Sequence, residues 1–285
     1  MSILKNKIDF AAIVTVNNSN PNGDPLDGNR PRQTYEGLGQ ISDVCIKRKI
    51  RNRLQDMGES IFVQSDERRD DGYDCLSNRA SGEIKNYASR DDFAKRACEK
   101  WIDVRSFGQV FAFKSTDKNP DSVSIGVRGP VSIHQAMSVS PIDITSMQIT
   151  KSVNSEPTVK GRKSSDTIGT KHFVDFGLYI IKGSINVQLA EKTGFTDEDA
   201  DKIKEALRTL FINDASSARP EGSMEVVNVY WWKHNSKIGQ YSSAKVHRLL
   251  KIEPKEDVIN PNRIEDYTIT LDSLDGLECE VTEGI

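Results

Sequence analysis

The chain has 285 residues, 36% hydrophobic and 28% charged, with a formal net charge of −3, enough apolar content for the core of one large domain or two small ones. No run approaches the roughly 20 apolar residues that cross a bilayer, and Met1 to Asn6 leads only into a short apolar segment, so neither a membrane anchor nor a signal peptide is expected. Cys45, Cys75, Cys98 and Cys279 lie far apart without a C-x-x-C pair, which argues against zinc and a disulfide framework and fits a reducing cytoplasm.

Lys7 to Val16 alternates and then runs apolar (Ile8, Phe10, Ala11, Ala12, Ile13, Val14, Val16), the pattern of a largely buried central strand. From Asn17 to Gln40 turn formers dominate, among them Asn22, Gly23, Asp24, Pro25, Gly28 and Pro31. They predict an irregular, surface-exposed loop, and loops of this length are usually functional or disordered. Arg30 and Arg32 sit in it with no acid within two residues of either. Asp24 and Asp27 raise a divalent-metal site or a general base, but the other ligands of a calcium loop are missing.

A helix is predicted from Ser42, a favoured N-cap, with Asp43 in the first turn. Ile46, Ile50, Leu54 and Met57 form its apolar stripe and Gly58 stops it. Five of the seven residues from 47 to 53 are basic: Lys47, Arg48, Lys49, Arg51 and Arg53. Within the helix only Asp43 and Asp56 stand at pairing distance, so intrahelical pairing cannot neutralise the group, and Arg48 is expected to point away from the core. Such a surface is either a solvated face or a phosphate-binding one. The loop arginines and a free helix N-terminus favour phosphate.

Ser60 to Gln64 reads as a short strand, and Ser65 to Lys100 as a polar insertion, helical near Asp91 to Lys100. Trp101 to Phe113 and Ser122 to His134 read as strands flanking the turn STDKNPDS. Each contains one arginine, Arg105 and Arg128, that either faces a phosphate or pairs with a carboxylate. Ser146 to Lys171 is mildly basic and poor in large apolar residues, hence exposed and flexible. His172 to Leu189 predicts a strand pair or one long strand. Thr196 and Asp199 form a capping box for a second helix with Ile203, Leu207, Leu210 and Phe211 on its buried stripe.

Glu225 to Lys233 is a strand ending in Trp231 and Trp232; they face opposite sides, so one is core and the other is a candidate for stacking on bases. Ser242 to Ile252 reads as helical and Tyr267 to Leu271 as the last strand. From Glu253 to Ile285 the net charge is −8, so a total of −3 leaves +5 on residues 1–252. The tail is either solvated or a surface for a basic neighbour.

The order of elements predicts an α+β chain with a ferredoxin-like or RNA-recognition-motif core, an antiparallel sheet with two main helices enlarged by insertions. The aromatic RNP signature is absent, which favours phosphate contact over base readout. His134, His172, His234 and His247 lack metal-ligand spacing, no G-x-S-x-G, P-loop or G-x-G-x-x-G occurs, and Cys45 on the basic helix reads as a packed thiol, with a lowered pKa as the alternative.

The runs NPNGDPLDGNRPR and SDVCIKRKIR resemble the backbone subunit of the CRISPR Cascade complex, the Cas-seven superfamily, and specifically its subtype I-C branch. VRSFGQVFAF, VRGPVSIHQAMS, FGLYIIKGSIN, TGFTDEDADKIKEAL and DASSARPEG extend the resemblance in the family's order from about Lys7 to His247. It implies one domain over 1–285 with a finger-like insertion at 65–100, a thumb-like hairpin at 146–171 and the acidic segment 253–285. It further implies a non-catalytic subunit that binds crRNA, assembles head to tail with its own copies and other Cascade subunits, and meets target DNA through guide pairing. A separate nuclease-helicase degrades the target, and neither a cofactor nor a metal is required. The RNA-binding candidates are Arg30, Arg32, Ser42, Lys47, Arg48, Lys49 and Arg51. Met147, Ile149, Lys151, Val153 and Lys163 are candidates for the thumb. The alternatives are a metal-dependent ribonuclease of the type III kind using Asp24 or Asp27, and a monomeric, sequence-selective RNA-recognition-motif protein.

Overall fold

The computed structural model describes residues 2–112, 124–153 and 168–285. Strand β1 (Ile8–Ser19) is followed by three short strands, β2 (Gly23–Asp24), β3 (Arg30–Pro31) and β4 (Leu38–Ile41), and by helix α1 (Asp43–Asp56). A 3-10 turn at Asp66–Arg68 leads to α2 (Leu76–Glu83), α3 (Arg90–Lys100) and α4 (Ile102–Phe107). Then come β5 (Gly108–Ala112), β6 (Ser124–Arg128), β7 (Val131–Ile133), β8 (Ala136–Pro141), β9 (Ile144–Thr150) and β10 (Ile168–Ile185). Helices α5 (Val187–Thr193) and α6 (Asp197–Arg208) precede β11 (Met224–Lys233), α7 (Ser243–His247), β12 (Leu250–Pro254), β13 (Tyr267–Leu271) and β14 (Cys279–Glu283).

Among the described residues, eight strands form one antiparallel sheet in the order β14-β11-β1-β10-β8-β4, with β7 and β9 also paired to β10. The period-2 alternation of β1 splits its side chains between two cores. Ile8, Phe10, Ala12, Val14 and Val16 pack with Ile46, Ile50 and Leu54 of α1 and Ile203 and Leu207 of α6. Ala11 and Ile13 face the other way, into a core closed by Leu178, Trp232, Val246, Leu250 and Tyr267. The central-strand expectation therefore holds. A third cluster, built on Phe62, Phe93, Trp101 and Phe111, lies under α2 and α3.

Several expectations are corrected. Residues 101–113 are not one strand: Ile102 to Phe107 is helical, and Gly108 at φ +79° makes the turn into β5. Ser60 to Gln64 is not a strand, because the N–H groups of Phe62 and Val63 donate to the Asp103 carboxylate (2.7 and 3.1 Å) and not to a sheet ladder. The helix expected over 242–252 shrinks to α7, since Leu250 and Ile252 alternate into β12. Trp231 and Trp232 do lie on opposite faces, but each face is covered, leaving them 4% and 1% exposed and neither free to stack on a base. The acidic tail is built into the fold: β13 pairs with β12, and β14 forms one edge of the large sheet against β11.

Candidate nucleic-acid interface

The loop between β1 and α1 is ordered by its own hydrogen bonds. β2 and β3 pair Gly23 with Pro31 and Asp24 with Arg30. The chain reverses through Gly28 and Asn29 at φ +56° and +62°, with the Asn29 N–H donating to the Asp24 carbonyl at 2.8 Å. The Asn20 amide donates to the Asn29 carbonyl (2.7 Å), and Asn22 Oδ1 accepts the Ser42 N–H (2.9 Å). The loop is thus tied to the start of α1, and the irregular exposed segment of the expectation is in part a hydrogen-bonded ribbon. Asn20, Pro21 and Pro31 are buried; Leu26 and Tyr35 remain on the surface.

Helix α1 starts as expected. Ser42 Oγ accepts the Cys45 N–H at 3.3 Å, and Gly58 at φ +86° follows the last turn. Its charges are placed differently from the expectation. Lys47 Nζ donates to Asp43 at 2.9 Å, and this bond holds the Asp43 carboxyl below its ordinary pKa. Arg48 does not point away from the core: it donates to the Val63 carbonyl at 2.6 Å, and burial pushes its pKa down. Lys49 is 4% exposed and paired with Asp214, which also accepts from Arg219 at 3.1 Å. Arg51 Nε donates to Asp103 at 2.9 Å with its guanidinium over the Phe107 ring, and Arg53 donates to Thr209 Oγ1 at 2.7 Å. Cys45 packs, partly buried, against the main core, and burial raises its thiol's pKa despite the nearby Lys49.

Arg30 and Arg32 lie in the loop that Asn22 ties to the start of α1. Arg32 reaches Asp24 at 3.4 Å. Arg30 donates to Ser146 Oγ (3.0 Å), which lies 2.8 Å from His172 Nδ1. The loop is therefore latched to the two-stranded arm of β9 and the first part of β10, where Ile168 pairs with Thr150 and Val174 with Ile144. On that arm Met147, Ile149 and Val153 are exposed, Lys151 is at the surface, and Lys163 lies outside the described residues. Arg30, Arg32 and Lys47 are partly exposed, as are Arg48, Arg51 and Arg53, and each is already oriented by a neighbour, so an anion arriving here meets positioned donors.

A family model described as CRISPR-associated protein Cas7 matches residues 6–272. The chain belongs to that family. A CRISPR-associated protein Cas7 of Haloferax volcanii is 26% identical to this Cas7 family member over 218 residues, 70% of this chain. The match spans 62% of that relative, under two thirds of its length. Two solved structures are similar at 18% identity. A chain of a CRISPR RNA-guided surveillance complex, pre-nicking, has a TM-score of 0.48 over 79% of this chain and 78% of its own. A chain of a CRISPR RNA-guided surveillance complex has 0.44 over 79% and 68%.

In this Cas7 family member, sequence reasoning missed the acids that organise the basic helix. Asp103 and Asp214 come from two separate segments; Asp199, placed from the sequence as the cap of α6, also takes both ends of the Arg105 guanidinium of α4 (3.0 and 2.8 Å). Arg105 thus pairs with a carboxylate, and Arg128 is exposed on β6. Among the described residues no helix is long and apolar enough to cross a membrane.

Proposed function

We propose that this chain is a guide-RNA-binding backbone subunit of a CRISPR Cascade surveillance complex of the subtype I-C kind. The family match across residues 6–272 carries the reading, and the partly exposed Arg30 and Arg32 of the loop and Lys47 of α1 support it as a phosphate-facing surface. Copies assemble head to tail on crRNA through an interface that does not close, which yields a helical filament. Guide pairing with target DNA supplies sequence specificity, other Cascade subunits complete the cytoplasmic particle, and a separate nuclease-helicase degrades the target. The strand order β11-β1-β10-β8, with α1 and α6 on one face, supports reading the core as ferredoxin-like. Residues 65–100 serve as the finger and 146–171 as the thumb.

The chain acts without catalysis or a cofactor. In support, Asp24 is engaged by Arg32 (3.4 Å) and by the Leu26 N–H (3.0 Å), which gives it a structural task in the loop. The test compares wild type with Arg30→Glu/Lys47→Glu, scoring protection of a guide-length RNA and particle size together. Wild type forms particles that lengthen with the RNA, and the folded variant does not. RNA binding without filaments would instead mark a monomeric RNA-recognition-motif protein. Regular cuts in matched target RNA with magnesium would mark a ribonuclease using Asp24 or Asp27.

A further inference from the structure

Arg32 and Lys47 each share their charge with a carboxylate, Asp24 and Asp43. Arg30 is held differently. Among the described residues it makes no ion pair: its guanidinium donates to the Ser146 hydroxyl (3.0 Å), and that oxygen lies 2.8 Å from His172 Nδ1. A serine oxygen can accept from the guanidinium and still give its own hydrogen to the imidazole. One hydroxyl therefore joins the loop cation to the arm.

The strand register gives this junction a direction. Ser146 and His172 stand opposite each other on β9 and β10, and the alternation of a strand puts Gln148 and Thr150 on the same face of β9 as Ser146, with Met147 and Ile149 on the other. Arg30 thus meets the polar face of the arm. The rest of the loop is fixed to the foot of the same arm: Gln33 Nε2 donates to the carbonyls of Gly37 (3.0 Å) and Ile142 (3.1 Å), and the Ile142 N–H donates to the Gly37 carbonyl (2.9 Å). A carboxylate at position 146 would hold the guanidinium equally well but would cancel its charge, whereas a hydroxyl fixes its position and leaves the full positive charge for an arriving anion.

We propose that Ser146 and His172 are positioning residues for Arg30, a neutral anchor that aims its guanidinium at the bound anion without quenching it, and that they act on binding only through Arg30. This rests on the RNA-binding reading above, but adds two residues and a dependence that the reading does not require.

The test measures affinity of the full chain for a guide-length RNA in a double-mutant cycle. Arg30→Gln weakens binding about tenfold, the scale of one charge-assisted hydrogen bond. Ser146→Ala and His172→Leu each weaken it about threefold to fivefold, the scale of one neutral hydrogen bond. Ser146→Thr keeps the hydroxyl and His172→Asn keeps a polar atom near the place of Nδ1, so both stay within about twofold of wild type. In the Arg30→Gln background, Ser146→Ala and His172→Leu have no further effect, because their route to the anion is gone. Ser146 is exposed and Arg30 and His172 are partly so, and a urea midpoint matching wild type verifies that each variant is folded. Losses that add in the Arg30→Gln background, losses that Thr and Asn do not rescue, or Arg30→Gln protein that binds like wild type would each overturn the anchor and leave the RNA-binding reading intact. Wild type that binds no RNA overturns both.

Discussion

Asp103 is fully buried and accepts from Arg51 and from the N–H groups of Phe62 and Val63, so one carboxylate fixes both a helix cation and a segment with no sheet partner. Asp103→Ala leaves Arg51 facing a void and two N–H groups unpaired. A loss of about 3–5 kcal/mol is expected in urea denaturation; a loss under about 1 kcal/mol would mean that Arg51 is already solvated. His247 gives a pH dependence. It is buried, donates from Nε2 to the Gly183 carbonyl (3.0 Å) and has Asp9, His134 and Lys182 as its charged or titratable neighbours. Burial lowers its pKa from 6.5, so the unfolded chain takes up the proton first. The stability it supplies is present above about pH 6.5 and drains away as pH falls through that value toward the folded pKa. The urea midpoint should drop between neutral pH and about pH 5, and His247→Gln should flatten that drop; an unchanged slope would assign it to other groups. At this scale the residue types were legible and their partners were not. Arg51 and Asp103 are 52 positions apart, Lys49 and Asp214 are 165 apart, and a search for acids along the helix itself meets only Asp43 and Asp56.

Elements whose ends carry their own chemistry were legible. The Ser42 cap, the positive φ at Gly58 and the reciprocal bonds of Thr196 and Asp199 all stand where the sequence places them. Elements decided by distant contacts were not. The residues of α4 fit strand and helix periods alike, and what selects the helix is burial of Ile102 and Val104 together with the Asp103 and Arg105 bridges. This divides the two partners of the capping box. Thr196→Ala removes one cap and should cost about 1 kcal/mol. Asp199→Ala removes the reciprocal cap and also strands the Arg105 guanidinium, and should cost about 3 kcal/mol or more. Urea denaturation of the two variants side by side decides it, and equal losses would show that the Arg105 bridge contributes no stability.

Across the whole molecule, the charge contrast between body and tail was visible in composition, but its structural use was not. Two of the tail's acids pair with residues outside it: Glu280 accepts from Lys204 (2.9 Å) and Asp272 from Lys251 (2.6 Å), and β14 covers the edge of β11. A chain ending at Asp272 loses that strand and buried Leu277. Its melting temperature should fall by about 5 °C or more, since each kcal/mol is worth about 2–4 °C at this size; an unchanged midpoint by circular dichroism would return the tail to solvent. β10 works at the same scale. It is 18 residues long, pairs with β9 from Ile168 to Val174, and pairs with β1 from Val174 to Ile185. Arm and core therefore have a single spine. A load applied along the arm is carried by the ladder that closes both cores, so the arm behaves as a stiff beam cantilevered from the sheet and not as a tether swinging from it.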